Sequence, residues 1–500
     1  MSVSSVAVYS DCDRTAQHVC LADEAYAIGP DQASESYLRI DKLIDAARRA
    51  KADGVHPGYG FLAENAEFAD ACRKAGLTFI GPTPRAMTTM GSKTAARRVA
   101  VDAGVPVVPG SEQPIGAALP DDELAKAAAA VGYPLLVKAV AGGGGKGMRI
   151  VRSAPELLSA VQLARSEAKS AFGSDEVYFE RLIDHTRHIE VQLLGDEHGT
   201  VWPFVERECS IQRRHQKIVE ETPSPSVSPE LRTKLTQAAA AIGRAVRYSS
   251  AGTIEFLVDG DGHHFFLEMN TRLQVEHPIT EAVTGVDFVR AQIEIARGKT
   301  VADAVGRVLN IEPGGDGFVP ARGHAIECRV YAEDPDEGFL PSPGAITHLR
   351  APAGPGIRDD SGAVAGSTVP TFYDPLISKV IAWAPDRRGA VSRMIRALNE
   401  YDVRGIKTTI GFCRELLSST GFRDGDFDTT TVDRMIEHRK PASDGTEVVE
   451  ELAAIAAALA TDSGTPAAVE APAAEQPKPA RAKQPVESLW AQRARFENLR

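Results

Sequence analysis

The stretch KAVAGGGGKGMRIV, Lys138 to Val151, sets four consecutive glycines between two lysines. Glycine N–H groups can approach phosphate oxygens without side-chain obstruction, and ammonium groups beside them add the complementary charge. A Walker loop requires G-x-x-x-x-G-K-S/T, whereas here the lysine precedes Gly147 and Met148 follows. Gly142, Gly144 and Gly147 do fit G-x-G-x-x-G, but a dinucleotide fingerprint opens straight into a helix. The flanks PLLVKAV and MRIV have strand character instead. The next helix signal is SAPELLSAVQLARSEAKS, where Ser153 and Glu156 form a capping box and Pro155 lies in the first turn. The glycines are therefore expected to join two antiparallel strands as a phosphate-covering flap, with a plain flexible hairpin as the alternative.

A second constellation lies in TIEFLVDGDGHHFFLEMNTR. Residues two apart on a strand share a face, so Glu268, Asn270 and Arg272 point together. The D-G-D-G turn at Asp259–Gly262 is a hairpin signal that can bring Glu255 beside them. Two carboxylates and an amide oxygen form a hard-oxygen set suited to Mg²⁺ or Mn²⁺. Solvated strand carboxylates are the alternative; Ile254 and Phe256 around Glu255, and the FFL run before Glu268, favour burial.

Two charged segments complete the inventory. NTRLQVEHPITE holds Arg272, Gln274, Glu276 and His277, and ERECSIQRRHQKIVEE holds Arg213, Arg214, His215 and Lys217. Read alone, each is a solvated face. Beside a nucleotide flap and a metal hairpin, the arginines suit a planar anion such as bicarbonate, whose oxygens match the guanidinium fork. Glu276 could then serve as a general base with its pKa tuned by burial and the neighbouring arginine.

The elements that must position these groups follow from periodicity. The first ninety residues alternate strands (SVAVYS, GVHPGY, LTFIGP) with helices (ESYLRIDKLIDAARRAKA, NAEFADACRKAG), which argues for a parallel doubly wound sheet. From Ser92 a new unit begins with the helix SKTAARRVAVDAG; then come the flap, the strands EVYFERLI and RHIEVQLLGD, the helix SPELRTKLTQAAAAIGRAVRY and the hairpin. A third unit mixes the strands HAIECRVYA and LISKVIAWA with the helix RRGAVSRMIRALNEYD, and the Ala/Pro-rich remainder reads as a disordered tail.

A net charge of −12 without a long basic stripe argues against nucleic-acid binding. Six cysteines without C-x-x-C spacing read as reduced thiols. No apolar run approaches the ~20 residues of a membrane span, and no signal peptide opens the chain, so a cytoplasmic protein without membrane contact is expected.

Together, HPGYGFLAENAEFA (56–69), GSK (91–93), LLVKAVAGGGGKGM (135–148), RHIEVQ (187–192), CSIQRRHQKIVEE (209–221), FFLEMNTRLQVEHPITE (265–281) and GHAIECRVYAEDP (323–335) resemble the biotin carboxylase family of the ATP-grasp superfamily. The resemblance implies a multidomain α/β and α+β fold. Residues 1–91 would form the N-terminal domain and 92–310 the ATP-grasp domain, with a flap subdomain about 108–182. Residues 311–440 would form the C-terminal domain, and 441–500 the tail. It implies ATP- and bicarbonate-dependent carboxylation of biotin through carboxyphosphate. By motif position, Lys93, Lys138, Gly144, Gly145, His188, His215, Glu255 and Glu268 would contact the nucleotide. Glu180, Arg181, Leu182 and Ile183 would hold adenine, with Arg181 standing where lysine is common. Glu255, Glu268 and Asn270 would bind metal; Lys217, Arg272, Gln274 and Val275 would bind bicarbonate. Glu276 would be the base, with Arg272, Arg329 and Lys217 the other catalytic groups and Tyr59 and Arg329 on the biotin side.

Two departures from the family pattern stand out. A first βα unit of roughly 20–25 residues is expected ahead of SVAVYS, leaving the N-terminal doubly wound domain incomplete. No M-K-M biotinylation motif occurs, so biotin would arrive on a separate carrier protein and leave through a carboxyltransferase subunit. The resemblance further implies a homodimer. An ATP-grasp ligase with another acceptor, and a non-catalytic truncated subunit, are the alternatives; Tyr59 with Arg329 opposes the first, and the intact Glu255, Glu268, Asn270, Arg272, Glu276 and Arg329 oppose the second.

Overall fold

Small and β-branched residues carry the start of the chain into a parallel pair, β1 (Val6–Ser10) and β2 (Glu24–Gly29), with Val6 opposite Glu24. A second parallel pair follows, β3 (Gly54–Val55) and β4 (Thr78–Phe79). Among the described residues the two pairs are not hydrogen-bonded to each other, so the first ninety residues hold two short sheets. The helices Ile40–Arg49 and Ala66–Lys74 bury Ile44, Ala47, Phe68 and Cys72 in one cluster with Leu62 and Leu77. The first of these is shorter than its periodicity suggests, because a 3-10 turn, Ala33–Glu35, takes up the preceding segment.

The computed structural model describes residues 1–111, 113–116, 119–140, 148–305 and 317–439. The flap glycines, Gly144 and Gly145 among them, and the tail from residue 441 lie outside these. The flanks of the flap are antiparallel strands, as their sequence predicts: β5 (Leu135–Ala139) pairs with β6 (Met148–Val151), Lys138 opposite Met148, and with β7 (Val177–Arg181) on its other edge. The helix Leu157–Phe172 behind them begins differently from expectation. Its first turn is 3-10, and the Ser153 hydroxyl donates to Glu156 Oε1 at 2.6 Å instead of capping a backbone N–H.

The centre of the chain forms one antiparallel sheet of nine strands. Its members are β8 (Arg187–Gly195), β9 (Val201–Pro203), β10 (Arg207–Arg213), β11 (Gln216–Thr222), β12 (Ser250–Val258), β13 (His264–Asn270) and β14 (His324–Tyr331), with the strands Ile357–Ser361 and Leu376–Ala384. The order is β13-β12-β8-β10-β11-β14, then Leu376–Ala384 and Ile357–Ser361, with β9 beside β8. Because β11 pairs with β14, a single sheet runs across residue 310. The helix Pro229–Ala245, capped by Ser228, packs Leu235, Ala239 and Ile242 against Ile189, Val191 and Phe256. At the other end, the helix Arg387–Glu400 sets Met394 and Leu398 against Ile326, Val330 and Val380.

The two strands of ERECSIQRRHQKIVEE correct its solvated reading: all seven residues of β10 are buried, as are Glu220 and Glu221 on β11, while Arg214 and His215 in the turn between them are exposed. The alternation that would mark a half-exposed strand is missing because charged groups on one face pair internally.

The approach of Tyr248 to β12 is close. Its hydroxyl donates to the Ala251 carbonyl at 2.9 Å, and a Cβ on Gly252 would stand 2.6 Å from its ring atoms. Gly252→Ala is expected to cost about 1–3 kcal/mol through overpacking, read as a lowered Tm; an unchanged Tm would show that the ring can move aside.

Candidate active site

The hairpin β12–β13 sets Glu255 opposite Glu268, and β8 sets Glu190 opposite Glu255 from the other side. His188, two residues before Glu190, shares its face and places Nε2 3.1 Å from Glu255 Oε2. Into this space β11 directs Lys217, whose ammonium donates to Glu190 at 2.6 Å, Glu255 at 3.0 Å and Glu276 at 2.5 Å. Burial alone would lower the Lys217 pKa, but the three carboxylates outweigh it and hold the group well above its ordinary value. Burial would likewise raise Glu276; Lys217, Arg329 and Arg207 outweigh it and keep that carboxyl well below its usual range. Glu276 is thus firmly ionised in this arrangement, by two close cations rather than by the adjacent arginine of the sequence motif.

Arg207 lies beneath the cluster with no solvent exposure. Its Nε donates to Glu190 at 2.5 Å, Nη1 to Gln192 at 2.7 Å and Thr280 at 3.0 Å, and Nη2 to Thr253 at 3.2 Å and Gln274 at 2.9 Å. With Gln274 Oε1 accepting from Arg207, the amide nitrogen is aimed at Glu255, 2.9 Å away.

Arg329 on β14 donates through Nε to Glu220 at 2.6 Å and through Nη2 to Glu276 at 3.0 Å. Its register partner Lys379 donates to the Val275 carbonyl at 3.1 Å and stands 5.5 Å from the ring centre of half-exposed Tyr59. Tyr59, Val275, Glu276 and Arg329 therefore meet at one mouth of the site. Arg272 turns elsewhere: Nε donates to Glu64 at 3.0 Å and Nη2 to Asn270 Oδ1 at 3.0 Å. Of the expected bicarbonate-binding set, Lys217 bonds the expected base Glu276, Lys217 and Gln274 both bond Glu255, Val275 gives its carbonyl to Lys379, and Arg272 joins only through Asn270.

On the other side of β12, Lys93 opens the helix Lys93–Asp102, whose N-cap is Ser92. Burial lowers the Lys93 pKa, against the charges of Glu268 and Glu180. The Lys138 ammonium donates to Glu180, which also accepts from Arg97 at 2.9 Å. The Glu180 side chain is thus a buried counter-ion. The Arg181 and Leu182 N–H groups bond Pro109 and Pro134 carbonyls at 2.8 and 3.0 Å, with the Arg181 side chain exposed and Ile183 half-buried. His215 sits in the turn between β10 and β11, with φ of 67° beside Arg214 at 49°. His215 is exposed overall, and partial desolvation of its ring, then the charges of Lys138 and His188, lower its pKa.

The facing carboxylates of Glu255 and Glu268 are the part of this hairpin that would suit a divalent cation, while the Asn270 amide oxygen is held by Arg272. Burial and the facing Glu255 both raise Glu268, the cost that a shared cation relieves. Asn270 approaches with its amide, Nδ2 donating to Glu255 at 2.8 Å. Glu64, Glu190, Arg207, Glu220 and Lys379 escaped the motif reading. Glu190 had a signal, its two-residue spacing from His188; Arg207 had none, since ERE looks like surface charge.

Comparison with known proteins agrees with this arrangement. Residues 1–87 match the biotin carboxylase N-terminal domain, 92–304 the ATP-binding domain of the carbamoyl-phosphate synthase L chain, and 327–434 the biotin carboxylase C-terminal domain. The chain is 47% identical over 435 residues to the biotin carboxylase of a Nostoc species, covering 87% of this chain and 94% of that one. It is 44% identical over 430 residues to biotin carboxylase 1 of Bacillus subtilis, covering 86% and 92%. The biotin carboxylase domain of Hydrogenobacter thermophilus 2-oxoglutarate carboxylase, solved with MgADP and bicarbonate, superposes with a TM-score of 0.81 at 42% identity, covering 88% and 94%. With its three consecutive domain matches and these long, closely similar relatives, the chain belongs to the biotin carboxylase family of ATP-dependent ligases.

Proposed function

We propose that Lys217, Gln274, Glu276 and Arg329 carry the chemistry of ATP- and bicarbonate-dependent biotin carboxylation in this chain, with biotin presented on a separate carrier protein. The observation that supports this most directly is the Lys217 ammonium bonded at once to Glu190, Glu255 and Glu276, with Arg329 on the far oxygen of Glu276. Two cations around the Glu276 carboxylate, with the Gln274 amide on the neighbouring Glu255, are the donors a small planar anion needs. Bicarbonate entering between Lys217 and Arg329 competes with Glu276 for both. A carboxylate that loses its cations regains basicity, while the same cations make bicarbonate more acidic. Glu276 then takes the proton, and the bicarbonate oxygen attacks the γ-phosphorus of ATP, expelling ADP.

Lys93, Lys138, His188 and His215 supply positive charge and hydrogen bonds along the nucleotide phosphates, with residues 180–183 at the base. Gly144 and Gly145 join this assignment on sequence alone. Glu255, Glu268 and Asn270 would hold a divalent cation, which when bound neutralises charge on the transferring phosphoryl group. Carboxyphosphate breaks down to CO₂ and phosphate; the phosphate takes the N1 proton of biotin, and N1 attacks CO₂. Arg329 stabilises the enolate oxygen formed on the ureido ring, and Tyr59 flanks that ring. Arg272 acts at one remove, holding Asn270 and Glu64. The division into domains at 1–91, 92–310 and 311–440 belongs to the same proposal, as do a homodimer, a carrier protein and a carboxyltransferase. Among the described residues no helix is long and apolar enough to cross a membrane.

The direct test is ADP release with bicarbonate and Mg²⁺, with and without free biotin; turnover that biotin does not stimulate would overturn the acceptor. Glu276→Gln is expected to lower bicarbonate-dependent ATP cleavage about 10²–10⁴-fold with nucleotide affinity retained, and an unchanged rate would remove Glu276 from the base role. Lys217→Met leaves three buried carboxylates without their ammonium, an expected loss of about 3–5 kcal/mol at neutral pH. The lowered carboxyl pKa values at Glu255 and Glu276 are a stabilisation present above the ordinary carboxylate pKa and lost on acidification. The Tm gap between wild type and Lys217→Met should therefore hold from about pH 8 to about pH 5 and narrow only as pH falls further, below the ordinary carboxylate pKa; a gap that does not narrow there would mean the lysine acts by packing alone.

A further inference from the structure

Behind Arg329, away from Glu276, lies a carboxyl that the mechanism does not use. Glu327 precedes Arg329 by two residues on β14, so its side chain shares that face, and it stands directly opposite Glu220 on β11. Cβ atoms of such opposed residues lie about 4.5–5.5 Å apart, and like charges there repel. Glu327 and Glu220 both have no solvent exposure. Glu220 gives its Oε1 to Arg329, but its Oε2 and both oxygens of Glu327 have no hydrogen-bond partner among the described residues.

Of the titratable groups around the pair, the Tyr331 hydroxyl lies 3.5 Å from Arg329 Nη1, and the Cys209 thiol on β10 is pushed up by burial and the surrounding carboxylates and stays neutral. Arg329 is engaged by Glu220 and Glu276, and Lys217, also on β11, by Glu190, Glu255 and Glu276. Lys379, on the neighbouring strand, is committed to the Val275 carbonyl at 3.1 Å and to Asp360 at 3.6 Å. From the helix His277–Thr284, Glu276 precedes the first turn and His277 bonds the Gln274 carbonyl. The remaining cover is apolar, with Ile279, Val283, Ala325 and Ile381 in one cluster. Two facing anions in such a place repel strongly, and one proton between them removes the repulsion.

We propose that Glu327 and Glu220 share a single proton behind Arg329, with Glu220 carrying the charge, and that the neutral Glu327 keeps the guanidinium turned toward Glu276 and the acceptor. Burial raises both carboxyls, and the facing charges, Glu220 on Glu327 and Glu276 on Glu220, raise them further against the pull of Arg329. Were Glu327 ionised, it would compete with Glu276 for the guanidinium. Glu327 is accordingly a positioning residue, a role that rests on Arg329 meeting biotin.

The test separates the proton from its consequence by using E327Q, whose amide mimics the neutral acid. An infrared difference spectrum of wild type minus E327Q at neutral pH should show the C=O stretch of a protonated carboxylic acid; loss of a carboxylate band alone would overturn the shared proton. Because a raised carboxyl pKa gives stability below it that is lost as pH rises through it, E327Q should gain Tm over wild type on going alkaline. A variant less stable than wild type at every pH would instead make Glu327 a counter-ion. Biotin-dependent turnover of wild type should fall by up to about tenfold per pH unit once the pair gives up its proton, a limb that E327Q lacks. Persistence of that limb in E327Q would overturn the positioning role while leaving the biotin reading intact, whereas absence of biotin stimulation in wild type would overturn that reading itself.

Discussion

One buried ammonium sets the terms for the rest of the molecule. Lys217 is removed from water and surrounded by Glu190, Glu255 and Glu276, each within 3.0 Å. A desolvated charge persists only where partners are held in place around it. That demand explains the sheet order: β8 lies between β12 and β10, and β11 lies beside β10, so three strands and the turn before residue 277 converge on a single point. Arg207 repeats the solution one layer down, binding Glu190 and Gln274 together. Such clusters are weak sources of stability compared with apolar packing of equal volume. What they offer is exchange, since an incoming anion can take over cations that a carboxylate now holds.

The same demand ties distant parts of the chain to the centre. Glu64, from the first ninety residues, accepts from the Thr271 N–H at 2.8 Å and from Arg272, pinning the exit of the β12–β13 hairpin. β14 continues the sheet and delivers Arg329 to Glu276, while the next strand delivers Lys379 to Val275 and toward Tyr59. The anion pocket and the acceptor mouth are thus two faces of one hydrogen-bonded segment, Gln274 to Glu276. A displacement of that segment would disturb both half-steps of the reaction together.

Much of this was legible from the chain. The flap strands, the Glu255–Glu268 hairpin and the D-G-D-G turn followed from alternation and turn chemistry, which are local properties. The burial of β10 and of Glu220 and Glu221 was not, because charge reads as solvent until its partners are known, and those partners lie up to 166 residues away. Arg207 and Glu220 are invisible for this reason: their environment is made entirely by other strands. Arg272 shows the converse, a residue whose motif position suggests an anion and whose side chain reaches Glu64 instead. The capping box at Ser153 failed for a local reason, a 3-10 first turn that draws the hydroxyl onto the glutamate.

Charge balance around the anion pocket constrains how the reaction can begin. With Glu327 neutral, the cations Arg207, Lys217 and Arg329 and a protonated His188 face the carboxylates Glu190, Glu220, Glu255 and Glu276, a balance that an arriving bicarbonate tips to one negative charge. A further anion can enter a low-dielectric site only with added positive charge or a proton. Glu255 and Glu268 are where added positive charge would be held, adjacent to the nucleotide lysines. In the proposed reaction the proton would come from bicarbonate itself: once on Glu276, it would leave total charge unchanged but free Lys217 and Arg329 from that carboxylate. Both cations then face the oxygen that must attack phosphorus. In this proposal a base held deeply ionised by the cations of its own substrate site would be matched to its task, because the proton it accepts is what would release those cations to the nucleophile.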